Sequence, residues 1–139
     1  MEDSQREYLL YEELQALANS ECKYPILKQA FLFSCLTGLR WSDVQKLTWL
    51  KIRDETDSEG ESYSRIVFKQ TKTEGQEYQY ISNQARSLLG ERREPSDRVF
   101  YRLKYSSTNN SELVNWCSRA GITKHITFHC ARHTCAVLM

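Results

Sequence analysis

The stretch "KYPILKQAFLFSCLTG" constrains the fold more than any other part of the chain. Pro25 suits the first turn of a helix, where its missing N–H costs nothing, and Gly38 supplies the stop. Between them, Ile26, Ala30, Phe31, Phe33 and Leu36 make the helix apolar nearly all round. Such a helix is stable only with neighbours on every side. It belongs at the centre of a core, and the other segments must surround it.

Those segments are legible in turn. "YLLYEELQALANSE" places Leu10, Leu14 and Leu17 at helical spacing and predicts a short amphipathic helix. In "LRWSDVQKLTWLKI", Ser42 is the expected cap of a third helix carrying Asp43, Val44 and Leu47, followed by extended chain to about Ile52. "RDETDSEGES" is acidic and poor in apolar residues, which predicts an exposed hairpin loop. "YSRIVFKQTKT" and "EYQYIS", joined by "EGQ", are rich in β-branched and aromatic residues and predict a hairpin turning at Gly75. "SNQARSLLGER" predicts a short helix capped by Ser82 or Asn83 and ended by Gly90. "VFYRL" predicts a brief extended piece, and "SSTNNSELVNWCSRAG" a capped helix ending at Gly121. A final helix is expected from Thr127, with Ala131, Cys135 and Leu138 on one face. The fold class that results is α+β, mainly helical, with a small three-stranded antiparallel sheet.

Length sets the scale. The 139 residues suffice for one domain with a real core, and residues 1–139 are expected to form a single domain. No apolar run approaches the ~20 residues that span a bilayer, and "MEDSQREYLLYEEL" is not a signal peptide, so an intracellular setting is expected. The five cysteines (Cys22, Cys35, Cys117, Cys130, Cys135) form no C-x-x-C pair, and core packing is the expected role of those inside apolar helical patterns. The net charge of +1 conceals an asymmetry: residues 1–62 carry seven Lys and Arg against twelve Asp and Glu, whereas residues 63–139 carry twelve against six. The later half can therefore offer a positive face to an anion.

Three short stretches carry candidate chemistry. In "TGLRWSD", Arg40 follows a helix-ending glycine and stands just before a new helix, with Asp43 three positions on. A guanidinium fork beside free backbone N–H groups suits an oxyanion, although a surface or salt-bridged arginine fits the same spacing. In "KQTKTEGQEY", Lys69 and Lys72 lie at or near a hairpin tip, where a lysine can reach into a groove and donate a proton, or can simply be solvated. In "HCARH", His129, Arg132 and His133 share one helix face. His125, His129 and His133 stand at intervals of four, which invites a metal. Against that, no Glu occupies the place it holds in H-E-x-x-H, Thr127 starts the helix after His125, and a cationic Arg132 would oppose a divalent ion. Arginine and histidine on one face suit a phosphate better.

The order of these stretches, more than any one of them, is informative. "LTGLRWSDVQKLTW", then "KQTKT…YQYIS", then "HCARHTCA" resembles the tyrosine recombinase family, the integrases of phages and mobile elements, over essentially the whole chain. The resemblance implies a catalytic domain for site-specific DNA recombination through a 3′-phosphotyrosyl intermediate. It implies that Arg40 and Arg132 clamp the scissile phosphate, that Lys72 (with Lys69 as the alternative) is the general acid, and that His129 hydrogen-bonds a non-bridging oxygen. Asp43 and His133 would support them. No metal or other cofactor is implied. The expected partner is double-stranded DNA, with self-association into a tetrameric synapse, in a bacterial-type cytoplasm beside the nucleoid.

The family's pattern continues with a further His or Trp and then the nucleophilic tyrosine, both after the second arginine. Every tyrosine here, Tyr101 and Tyr105 included, precedes Arg132. A final helix ending "AVLM" without a stop signal is expected to be cut short, leaving this chain inactive in strand cleavage and DNA-binding at most. Two other readings stay open at this level: a non-catalytic DNA-binding remnant or regulator, and a helical protein-interaction domain.

Overall fold

The computed structural model describes residues 8–68, 78–103 and 107–138, without the side chains of 136–138. Among the described residues there are six helices and one small sheet: α1 (Tyr11–Ala18), α2 (Pro25–Thr37), α3 (Trp41–Lys46), α4 (Asn83–Ser87), α5 (Ser107–Arg119) and α6 (Cys130–Leu138). The strands β1 (Ile52–Thr56), β2 (Ser62–Val67) and β3 (Tyr78–Ile81) form an antiparallel meander in the order β1-β2-β3. The class is α+β.

Helix α2 is the axis of the molecule. Pro25 stands at its start, and eight of its thirteen residues are buried, among them Leu27, Ala30, Phe31, Phe33 and Cys35. Each large apolar side chain removed from water contributes roughly 2 kcal/mol, so packing rather than intrinsic propensity holds this helix in place. Phe31 meets Trp116 of α5 edge-on at 5.8 Å and Phe128 at 5.6 Å, while Phe33 meets Phe100 at 5.7 Å. Gly38 then closes the helix in the left-handed conformation (φ 80°), its N–H donating to the Ser34 carbonyl at 2.8 Å. Only glycine takes that conformation without strain.

Helices α1 and α5 are tied to each other beside α2. The Trp116 indole N–H donates to the Leu17 carbonyl at 3.0 Å, and the buried Glu112 carboxylate accepts the Lys23 N–H at 2.6 Å and a hydrogen bond from Arg119. Burial works to raise the Glu112 pKa, but these donors outweigh it and leave the carboxyl below its ordinary range. The segment before α1 reaches across to α6, where the Leu9 N–H donates to Thr134 Oγ1 at 2.9 Å.

Three segments differ from the sequence reading. The acidic stretch from Arg53 to Thr56 is strand rather than loop, and only the residues after it turn. Its carboxylates are answered by distant arginines: Asp54 accepts two hydrogen bonds from Arg86 of α4 (2.8 and 3.0 Å), one from Arg92 (2.9 Å) and one from the Ser64 hydroxyl (2.6 Å). Across the ladder, Glu55 pairs with Arg65 at 2.8 Å. The residues "VFYRL" form a turn in which Val99, Phe100 and Leu103 are all buried, a spacing that an extended strand would not give. Ser42 lies inside α3, whose N-cap is Arg40, and no side chain caps it. The predicted Ser82 cap is present, accepting the Ala85 N–H at 3.1 Å.

Arg86 and Arg92 also flank the buried Trp49 ring, with guanidinium carbons 5.2 and 5.4 Å from its centroid. Asp54 thus orients both cations over an aromatic surface and fixes α4 to the sheet.

Two measurements test this account. Gly38→Ala forces a left-handed alanine whose Cβ would lie 3.3 Å from Cys135 Sγ; the expected loss is about 2 kcal/mol in a urea titration. The Arg86 hydrogen bonds, ahead of those from Ser64 and Arg92, hold the Asp54 carboxyl well below the usual carboxylate range. Its folded pKa is depressed, so its contribution is full above the unfolded value near 4 and fades as pH falls toward the folded one. With 39% of the side chain in solvent, screening limits the effect, and Asp54→Asn is expected to cost about 1 kcal/mol at pH 7. That difference from wild type should shrink as pH drops from about 4 to 2.

Candidate functional site

Arg40 is delivered by the reversal at the end of α2. The Ser34 hydroxyl donates to the Leu39 carbonyl at 2.5 Å, and the Leu39 N–H donates to Thr37 Oγ1 at 3.3 Å. From the sheet, the Gln79 amide donates to the Thr37 carbonyl at 2.8 Å. Leu39 is buried and anchors the turn, which leaves Arg40 exposed at the start of α3. Sequence alternation of glycine, leucine and arginine here separates three tasks: reversal, anchoring and display.

Arg132 arrives from the other direction. A tight turn of 3₁₀ type precedes α6, with the N–H groups of Cys130, Ala131 and Arg132 donating three residues back to Thr127, Phe128 and His129. The helix therefore begins at Cys130, three residues later than the sequence suggests, and His129 stands immediately before it. Ala131 is fully buried while Arg132 points outward on the first turn. The His129 and His133 rings meet edge-on at 5.5 Å.

One aromatic contact joins the two deliveries. Trp41, next to Arg40, meets Phe128, next to His129, at 4.9 Å and nearly perpendicular. Phe128 in turn rests on Phe31 of the central helix. Movement of either arm would break this chain of rings.

The outcome is a cavity of about 470 Å³ lined by Arg40, His129 and Arg132. His125, Thr127, Asn109 and Asn110 complete its polar lining, and Leu27, Leu39, Trp41, Leu113, Val114, Ile126 and Phe128 form the apolar wall. Among the described residues no Asp or Glu lines it. Among the described residues neither Arg40 nor Arg132 has an ion-pair partner, whereas Arg65, Arg86, Arg92, Arg119 and Lys124 are each paired with a carboxylate. Two arginines lining one cavity, with no described acid beside them, suit an anion, and their forked donors match tetrahedral oxyanions.

The other candidates fall elsewhere. Asp43 is exposed on the first turn of α3, and neither it nor His133 lines the cavity, though the His133 ring meets that of His129. Lys69 and Lys72 lie outside the described residues. Sequence reasoning missed Asn109, Asn110 and Thr127 as lining residues, because "STNNSEL" carries only a helix-start signal. His125 had a signal, its spacing from His129, but that pointed to a metal. Among the described residues no three His, Cys, Asp or Glu side chains are grouped to hold one. The cysteines are free, and burial pushes the Cys117 thiol up to about 11 and Cys35 well above its ordinary value. Protonated, buried thiols are poor nucleophiles.

No helix among the described residues is long and apolar enough to cross a membrane. Comparison with curated proteins gives no match. Comparison with protein families does give one, over residues 7–139, which takes in both arginine stretches and the hairpin between them. The chain belongs to the phage integrase family, whose members carry out site-specific recombination of DNA.

Proposed function

We propose that this chain is a single catalytic domain that binds the phosphodiester backbone of duplex DNA in the Arg40–Arg132 cavity and supplies the electrostatic part of strand exchange. The observation that carries the reading is that Arg40 and Arg132, distant in sequence, line one cavity to which no described residue brings a carboxylate. Each guanidinium holds non-bridging oxygens of the scissile phosphate. Together they stabilise the extra negative charge of the pentacoordinate transition state. His129 hydrogen-bonds one of these oxygens. Lys72, with Lys69 as the alternative, donates a proton to the departing 5′-oxygen as the phosphorus–oxygen bond breaks. Asp43 and His133 support this arrangement from outside the cavity.

In the reaction we assign, a tyrosine hydroxyl attacks phosphorus and leaves a 3′-phosphotyrosyl link that a second DNA strand later resolves. All eight tyrosines of this sequence precede Arg132, while the family's nucleophile follows it, so none of them is given that role. Exchange of two strand pairs calls for four copies on DNA, a tetrameric synapse beside the nucleoid of a bacterial-type cell. The two guanidiniums provide the positive charge, and the mechanism routes no step through a metal.

The test is a titration of a labelled DNA duplex at several salt concentrations. Affinity should fall steeply with salt, because phosphate neutralisation releases counterions. Arg40→Ala and Arg132→Ala should each weaken binding and lower the magnitude of the log–log salt slope by about 1 while far-UV circular dichroism stays unchanged. Binding that is absent at low salt, or indifferent to salt, would favour a protein-interaction role instead.

A further inference from the structure

The cavity is larger than the phosphate it is proposed to hold. At about 470 Å³ it falls within the roughly 300–1,000 Å³ typical of sites that enclose a whole small ligand. Its apolar wall, including Leu27, Leu113, Ile126 and Phe128, has no use for a phosphate oxygen. Such a wall suits the uncharged sugar beside the clamped phosphate.

The α5 side of the cavity adds two amides. Asn109 and Asn110 occupy the first turn of α5, with Leu113 and Val114 one turn further along the same wall. Asn110 is exposed, and its amide forms no hydrogen bond with another described residue. An uncharged amide adds little to backbone affinity, which Coulombic attraction dominates. What it offers is one donor and one acceptor side by side. Adenine presents the matching pair, N6–H₂ and N7, on its major-groove edge, and the bidentate contact is selective by about tenfold or more.

We infer that Asn110, with Asn109 beside it, reads the base next to the clamped phosphate and selects adenine there. This rests on the phosphate-binding reading and deepens it: the arginines supply affinity and the asparagines supply sequence preference. The two contributions are separable, because only the first depends on charge.

The experiment selects bound duplexes from a randomised pool with the 139-residue chain, sequences them, and runs a salt titration on one fixed duplex in parallel. Wild type should enrich adenine about tenfold at one position. Asn110→Ala should keep the wild-type salt slope and lose the enrichment. Asn110→Asp, which can only accept hydrogen bonds, should move the preference toward cytosine, whose N4 donates. Arg132→Ala should weaken binding to every sequence alike and retain the adenine preference. Salt-dependent binding by wild type without base enrichment would overturn the inference and leave the phosphate site standing. So would adenine enrichment that survives in both Asn110 variants. Absence of binding to every duplex would remove the phosphate site and this inference together.

Discussion

The left-handed reversal at Gly38 is the constraint on which the site depends. It ends the central helix against α6, so closely that an added Cβ would sit 3.3 Å from Cys135 Sγ. With that contact fixed, the residue displayed two positions later, Arg40, must emerge near the start of α6. There the chain presents His129 and Arg132. The Trp41–Phe128–Phe31 sequence of rings then sets how far apart the two arms stand. Precise placement of exposed arginines is thus achieved by buried neighbours: Leu39 and Trp41 on one side, Phe128 and Ala131 on the other.

Charge is distributed in a way that net charge hides. The acidic first half does not simply stay apart from the basic second half. It neutralises part of it, Asp54 holding Arg86 and Arg92, Glu55 holding Arg65, and Glu13 holding Lys124. These pairs are structural: they fasten α4 to the sheet and the segment around residue 124 to α1. Arg40 and Arg132 remain without carboxylate partners among the described residues, so no described acid cancels their charge beside the cavity they line. A count of basic residues would therefore overstate the surface available to an anion. The position of the unpaired ones carries the information.

Much of the fold was legible where one local rule had no competitor. The all-round apolar pattern of α2, its Pro25 start and its Gly38 stop, the Ser82 cap and the alternating strands of the hairpin are each decided within a few residues. The strand at Arg53–Thr56 was not, because its acidic side chains are answered by Arg65 on the neighbouring strand and by Arg86 and Arg92, more than thirty positions away. The turn at "VFYRL" failed for a similar reason: β-prone residues were overruled by burial of Phe100 against Phe33. In the site, Arg40, His129 and Arg132 were identifiable because their order along the chain matched a family. Asn109, Asn110 and Thr127 were not, since small polar residues near helix starts are ordinary caps, and only the folded chain reveals that these face a cavity.

The central claim is that Arg40 and Arg132 act as one clamp on a single phosphate. It is tested most directly by a crystal structure of the chain soaked in tungstate, a tetrahedral oxyanion whose anomalous signal is unambiguous. The account predicts one strong peak in the cavity, with oxygens within hydrogen-bonding distance of both guanidiniums and of the His129 ring. Tungstate bound only at other basic surfaces, or at one of the two arginines with the other turned away, would contradict it.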